Sequence, residues 1–180
     1  MRRVALTVVI AALVVAPGAA AGTALDGELV REINRVRAAH ARGPLKADTV
    51  LQRAAASHSG DMLRRDYFSH GDFAARMRRF GARGPMLGEN LAWASGPFAT
   101  AHSLVRLWLE SPPHRANVLR RTFGRIGIAA MRGRFQGVEG AVVVTADFAG
   151  PGTPPARTHS PPGDRPPEHV VHRTTRLIPV

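Results

Sequence analysis

The chain has 180 residues, 44% of them hydrophobic, and carries 25 Lys and Arg against 13 Asp and Glu for a formal charge of +12. That length gives one globular domain a sizeable core and leaves no room for a second of ordinary size. With no cysteine, disulfide scaffolds, thiolate nucleophiles, Cys-ligated zinc and iron–sulfur clusters are all excluded, so any bound metal must use His and carboxylates.

In chain order, Met1-Arg2-Arg3, the short apolar run Val4 to Val15 and the small residues Ala19-Ala20-Ala21 predict a secretory signal over 1–21. Its apolar run of about 12 residues is too short to cross a bilayer as a helix, so no membrane span is expected after cleavage. A single domain is expected over 22–150. Leu25, Leu29, Ile33 and Val36 form one stripe of a first helix that Thr23 would cap and Gly43-Pro44 would stop, with Arg31, Arg35 and Arg42 on its other face. A second, alanine-rich helix starts at an Asp48 N-cap and turns Leu51, Ala54, Ala55, His58 and Met62 to one side. A third follows Asp72, with Phe73, Met77 and Phe80 inward and Gly81 as its stop.

Asn90 to Ala94 fits an extended segment. A fourth helix runs from about Ala99 to Glu110 and buries Ala101, Val105 and Trp108; Ser111-Pro112 then supplies an N-cap and a first-turn proline for a short fifth helix carrying Val118 and Leu119. Ile126, Ile128 and Ala130 alternate, as do Val142, Val144, Ala146 and Phe148, which predicts two antiparallel strands. The fold class is α+β, an α-β-α sandwich with a small central antiparallel sheet flanked by helices. Residues 151–180 hold eight of the fourteen prolines and are expected to be a disordered tail, with His159, His169 and His172 solvated.

The self-contained signatures of zinc peptidases, serine hydrolases and P-loop enzymes are absent, and the sole lysine, Lys46, is expected in a loop. The polar residues left in apolar or turn-like settings are His58, His70, Glu89, Glu110 and His114. His58 lies on the inner face of its helix and reads as a satisfied core histidine. His70 follows Tyr67-Phe68-Ser69 at a turn, where it either bonds nearby backbone or serves a site. Glu89, flanked by Leu87-Gly88 and Asn90-Leu91, must be exposed or paired, and either orders a loop or acts in a site. Glu110 ends one helix and His114 opens the next across Pro112-Pro113, so both can face one crook, or serve as capping and surface groups. A helix N-terminus favours neutral imidazole at His114, the form that binds a divalent metal or accepts a proton.

These residues fall in an ordered set: Ala55-x-x-His58-Ser59-x-Asp61-Met62, Phe68-Ser69-His70, Gly88-Glu89-Asn90-Leu91-Ala92 and Trp108-x-x-Ser111-Pro112-Pro113-His114-Arg115-x-Asn117. The set resembles the compact bacterial branch of the CAP superfamily (cysteine-rich secretory, antigen 5 and pathogenesis-related 1 proteins, or SCP-like domains) over about residues 25–149. Ile126-Gly127-Ile128 and Ala146-Asp147-Phe148 look like that family's closing hairpin. The resemblance implies an α-β-α sandwich with a cleft of two His and two acids: His70, His114, Glu89 and a second acid. Many relatives place that acid three residues after the Trp, where this chain has Ser111, so Glu110 substitutes for it or the site is a His-Glu-His triad. Arg115 and Asn117 match the motif and look structural.

Two functions follow from the resemblance. In one, the domain is a secreted, extracytoplasmic binding module for a lipid, glycan or protein, monomeric, with a divalent ion such as zinc on His70 and His114 and Glu89 and Glu110 behind or beside them. In the other, the same metal polarises water and Glu89 takes its proton, giving a peptidase or esterase. Nucleic acid is not expected as a partner. Arg64-Arg65, Arg78-Arg79 and Arg120-Arg121 are isolated pairs with no interleaved aromatic stripe.

Overall fold

Apolar strands that alternate only on paper become apolar on both sides once helices cover both faces of their sheet. The structure, a computed structural model, describes residues 18–150, with side chains from residue 24. Its elements are α1 (Gly18–Ala39), β1 (Lys46–Ala47), α2 (Thr49–Arg65), α3 (Phe73–Phe80), β2 (Leu87–Ala94), a 3-10 turn (Gly96–Phe98), α4 (Ala101–Glu110), α5 (Pro112–Leu119), β3 (Arg125–Phe135) and β4 (Val138–Ala149). The sheet order is β1-β3-β4-β2, with β2 and β3 antiparallel to β4 and the two-residue β1 parallel to β3. Lys46, expected in a loop, therefore lies in β1, where it is exposed.

On one face α1, α4 and α5 bring Leu29, Ile33, Leu104, Trp108 and Val118 against Ile126, Ile128, Val142, Val144, Ala146 and Phe148. On the other, α2 and α3 lay Leu51, Ala54, Met62 and Met77 over Leu91, Ala141, Val143 and Ala149. This is the expected α-β-α sandwich. Because both faces are covered, Thr145 and Asp147 of β4 are buried as completely as Val144, Ala146 and Phe148, with which they alternate.

The helix boundaries follow local chemistry. Asp48 caps α2 by accepting from Val50 N and Leu51 N, and Asp72 caps α3 through Ala75 N. Gly81 ends α3 at φ +74°, a left-handed conformation that glycine adopts without a Cβ clash. Thr23 does not cap α1, which begins at Gly18 and runs through it. The predicted signal over 1–21 lies mostly outside the described residues, and the predicted tail over 151–180 lies wholly outside them. Among the described residues no helix is long and apolar enough to cross a membrane.

Side chains close both edges of the sheet, which otherwise present unpaired backbone groups. Beyond the short β1, Asp26 of α1 accepts Ala130 N at 2.7 Å, and burial pushes its pKa up to about 6. Along β2, Trp108 Nε1 donates to Leu91 O at 3.0 Å and Asn117 Nδ2 to Glu89 O at 3.2 Å.

The tightest contact between layers is α2 on β3. A Cβ at Gly127 would lie 2.1 Å from Gln52 N and 2.2 Å from Leu51 C, both backbone atoms that cannot swing aside. Gly127→Ala is expected to cost about 3 kcal/mol in chemical denaturation, the upper part of the overpacking range. Gly133→Ala, whose Cβ would meet only the flexible end of Leu63 at 3.3 Å, serves as the mild comparison.

Candidate functional site

The polar residues converge at the β2 edge, where the two helical layers meet across the strand. Glu89 and Asp147 are direct partners in the β2–β4 register, so their side chains project to the same face, that of α2 and α3. Glu89 is only 4% exposed, and a carboxylate so enclosed needs compensation. It receives it from two sides. His70 Nδ1–H donates to Oε1 at 2.6 Å, and Arg76 Nη2 donates to Oε2 in a short ion pair. Burial alone would raise the Glu89 pKa, but the His70 hydrogen bond and the Arg76 charge outweigh it and hold the carboxyl below its ordinary range.

The turn carrying His70 is anchored from both sides. His58 Nε2–H donates to Ser69 O at 2.9 Å, and Arg76 Nη1 to His70 O at 3.1 Å. Burial lowers the His58 pKa, so His58 is the core histidine its position on α2 predicts. With Nδ1–H committed to Glu89, a neutral His70 ring carries its lone pair on Nε2. Its side chain is 29% exposed, so this ring opens the cluster to solvent.

His114 approaches from the other layer, in the first turn of α5. Its Nδ1 lies 2.8 Å from Ser111 Oγ, and its carbonyl accepts Asn90 Nδ2 at 3.0 Å. Asn117 Nδ2 in turn donates to Asn90 Oδ1, tying α5 to β2. Ser111 occupies the N-cap position of α5 without capping it, because its hydroxyl is turned to the imidazole. Burial lowers the His114 pKa to about 4, helped by charge on His70, whose field reaches it across the strand. The far end of α5 is held by a buried guanidinium: Arg37 donates to Val118 O at 2.7 Å, Arg120 O at 3.1 Å and Phe123 O at 3.2 Å, while Arg42 takes Leu119 O at 3.0 Å. Cations there complement the carbonyl end of the helix.

Glu110 does not join them. It is exposed at the end of α4 and accepts a 2.8 Å bond from Arg106, one helical turn back. Trp108 faces the core, so the residue two places on is turned outward, and the residue three places on, Ser111, is the one turned to His114. The arrangement is thus His70, Glu89 and His114 with Ser111 where the second acid was expected. Three participants were missed: Arg76, Asn90 and Asp147. Arg76 had a signal, since Phe73, Arg76, Met77 and Phe80 share one helical face. Among the described residues no group of three or more His, Asp or Glu is arranged to hold a metal ion. A cavity of about 370 Å³ lies between α3 and the start of β2, lined by Phe73, Met77, Pro85, Met86 and Leu87 with Arg78 and Arg83, and none of His70, Glu89 and His114 lines it.

Residues 30–148 match the family model of the cysteine-rich secretory protein (CAP) family, and the chain belongs to that family despite having no cysteine. It is 29% identical over 133 residues to YkwD of Bacillus subtilis (strain 168), an alignment that takes in 71% of this chain and 48% of YkwD. Its fold is similar to an extracellular SCP-domain protein of Bacillus anthracis at 25% identity and a TM-score of 0.61, covering 72% of this chain and 41% of that one. An outer surface protein of Borrelia burgdorferi shares the fold at 18% identity and a TM-score of 0.57, over 67% of this chain and 87% of that one. The chain thus spans about half of its curated relative and two fifths of the Bacillus anthracis chain.

Two outcomes follow from the electrostatics. Because the folded state disfavours protonated His114, the unfolded chain binds more protons between the unfolded value of 6.5 and about 4, and stability falls as pH falls through that window. Urea titrations are expected to show about 2 kcal/mol lost on going from about pH 7.5 to about pH 5, and less in His114→Gln. Arg76→Met removes the charge partner of Glu89 and leaves it only the His70 hydrogen bond, and is expected to cost about 3 kcal/mol. The double variant Arg76→Met, Glu89→Gln is expected to recover part of that loss; equal or greater instability of the double variant would mean that the ion pair is not what stabilises this region.

Proposed function

We propose that this domain is a binding module of the extracytoplasmic space, and that its cleft at the β2 edge takes a lipid, glycan or protein ligand through His70 and His114, with a divalent ion such as zinc on the two imidazoles. The location rests on the family and on relatives described as an extracellular protein and an outer surface protein. The observation that carries the reading is that both Glu89 oxygens are engaged, one by His70 and one by Arg76.

That engagement separates binding from hydrolysis. A general base must reach the water whose proton it takes, whereas Glu89 is directed at His70, fixing the ring's tautomer and leaving Nε2 as the lone-pair nitrogen. This is the supporting role a carboxylate plays behind a metal-bound histidine. The donor set fits an ion only sparingly, since two imidazoles fall short of the three protein ligands of a catalytic zinc. When bound, the ion would supply a Lewis-acidic point for an oxygen or nitrogen of the ligand. Ser111 orients His114, and the low basicity of that ring keeps it neutral and able to donate its lone pair at physiological pH.

Calorimetric titration of the full chain with zinc chloride tests this. About one ion per chain is expected, weakened at least tenfold by His70→Ala or His114→Ala, weakened about 10–100-fold by Glu89→Gln, and unaffected by Glu110→Gln. Undiminished zinc binding in the His70→Ala, His114→Ala double variant would overturn the assignment. Hydrolysis of peptide or ester substrates that is abolished by Glu89→Gln while zinc binding persists would favour the hydrolase.

A further inference from the structure

Asp147 has no role in the reading above, and its surroundings are unusual for a carboxyl. It is fully buried in the central strand β4, and neither of its oxygens has a hydrogen-bonding partner. On one side its register partner is Glu89; on the other it is Gly127, which brings no side chain. Buried acids ordinarily find a cation or several N–H donors. Here the nearby cation is shared elsewhere: Arg76 of α3 directs one nitrogen to Glu89 and another to His70 O, and its buried Nε, though unpartnered, makes no hydrogen bond to Asp147.

Two enclosed carboxyls on adjacent strands do not both ionise, since each charge destabilises the other where water cannot screen it. Which one ionises is decided by donors. Glu89 has His70 and Arg76; Asp147 has none. An ionised Asp147 would be a buried charge without compensation, costly beyond what the fold offsets. Protonated, the same group becomes an O–H donor beside an acceptor-only carboxylate.

We infer that Asp147 is a neutral carboxylic acid in the folded protein and a positioning residue for Glu89, whose carboxylate receives its proton as a third hydrogen bond and is thereby kept turned toward His70. The groups whose fields reach Asp147 agree with this. Burial and the charge of Glu89 raise its pKa well above the ordinary carboxylate value, and Arg76 opposes them without prevailing. His58 of α2 also acts on Glu89 electrostatically, and burial lowers its pKa, which disfavours a compensating charge there. The inference goes beyond the binding reading and does not depend on any ion or ligand, so it is tested on the metal-free chain.

Carbon-13 NMR of the full chain, with Asp side chains labelled, reads the Asp147 carboxyl directly, assigned by its loss in Asp147→Asn. The expected result is a resonance at the protonated position that does not move between about pH 5 and about pH 8. A resonance at the ionised position in that range would overturn the inference. The positioning role is read in the His70 Nδ1–H proton, which is slowed in exchange by its bond to Glu89. Asp147→Asn keeps a donor and is expected to retain that signal, whereas Asp147→Val removes the donor and is expected to broaden or lose it. Equal retention in both variants would show that Asp147 does not position Glu89. Should Asp147→Val fail to fold, the carboxyl resonance of the unaltered chain still decides the protonation state.

Discussion

The site depends on one enclosed negative charge. Glu89, on an edge strand and almost out of contact with water, costs free energy unless cations and donors surround it, and the fold supplies them from three directions. Arg76 arrives from α3, His70 from the turn before α3, and Asp147 from the neighbouring strand. The turn at His70 is thus organised around Glu89 as much as Glu89 is held by the turn. Remove the carboxylate's partners and the geometry of His70 has no reason to persist.

The second histidine is placed by different physics. His114 belongs to the other layer of the sandwich, and α5 is located by hydrogen bonds at both of its ends. Asn90 bonds the His114 carbonyl in its first turn and Asn117 in its last turn bonds back to β2, while Arg37 and Arg42 collect the carbonyls at its end. That two unrelated networks deliver their rings to one strand edge is why the motifs lie so far apart in the chain. It also explains why the site needs no disulfide: the edge strand is closed by Trp108 and Asn117, and the layers lock through the Gly127 contact.

Much of this was legible in the residues. The helical stripes, the Asp48 and Asp72 caps and the alternating strands follow from spacing, and the contact of His70 with Glu89 joins two motifs that the family resemblance singles out. What escaped was polar and buried. Arg37 and Arg76 lie on the inward faces of their helices, at positions where periodicity indicates core but a guanidinium suggests surface. Asp147 sits on the face of β4 opposite Val142, Val144 and Phe148, a face that looks solvent-exposed until a second layer of helices covers it. Glu110 failed for the converse reason: proximity in sequence to His114 across two prolines did not fix the direction of a side chain at a helix end, and the position one residue later turned inward as a serine.

Membership of the CAP family accounts for the architecture, and the charge compensation around Glu89 gives the site its character: a buried carboxylate with one oxygen engaged by His70 and the other by Arg76. The most direct test is a crystal structure of the chain grown with zinc. The account predicts one ion bonded to a ring nitrogen of His70 and of His114, at about 2.0 to 2.1 Å, with Glu89 still on Arg76 and away from the metal. An ion ligated by Glu89 itself, or rings of His70 and His114 that share no ion, would contradict it.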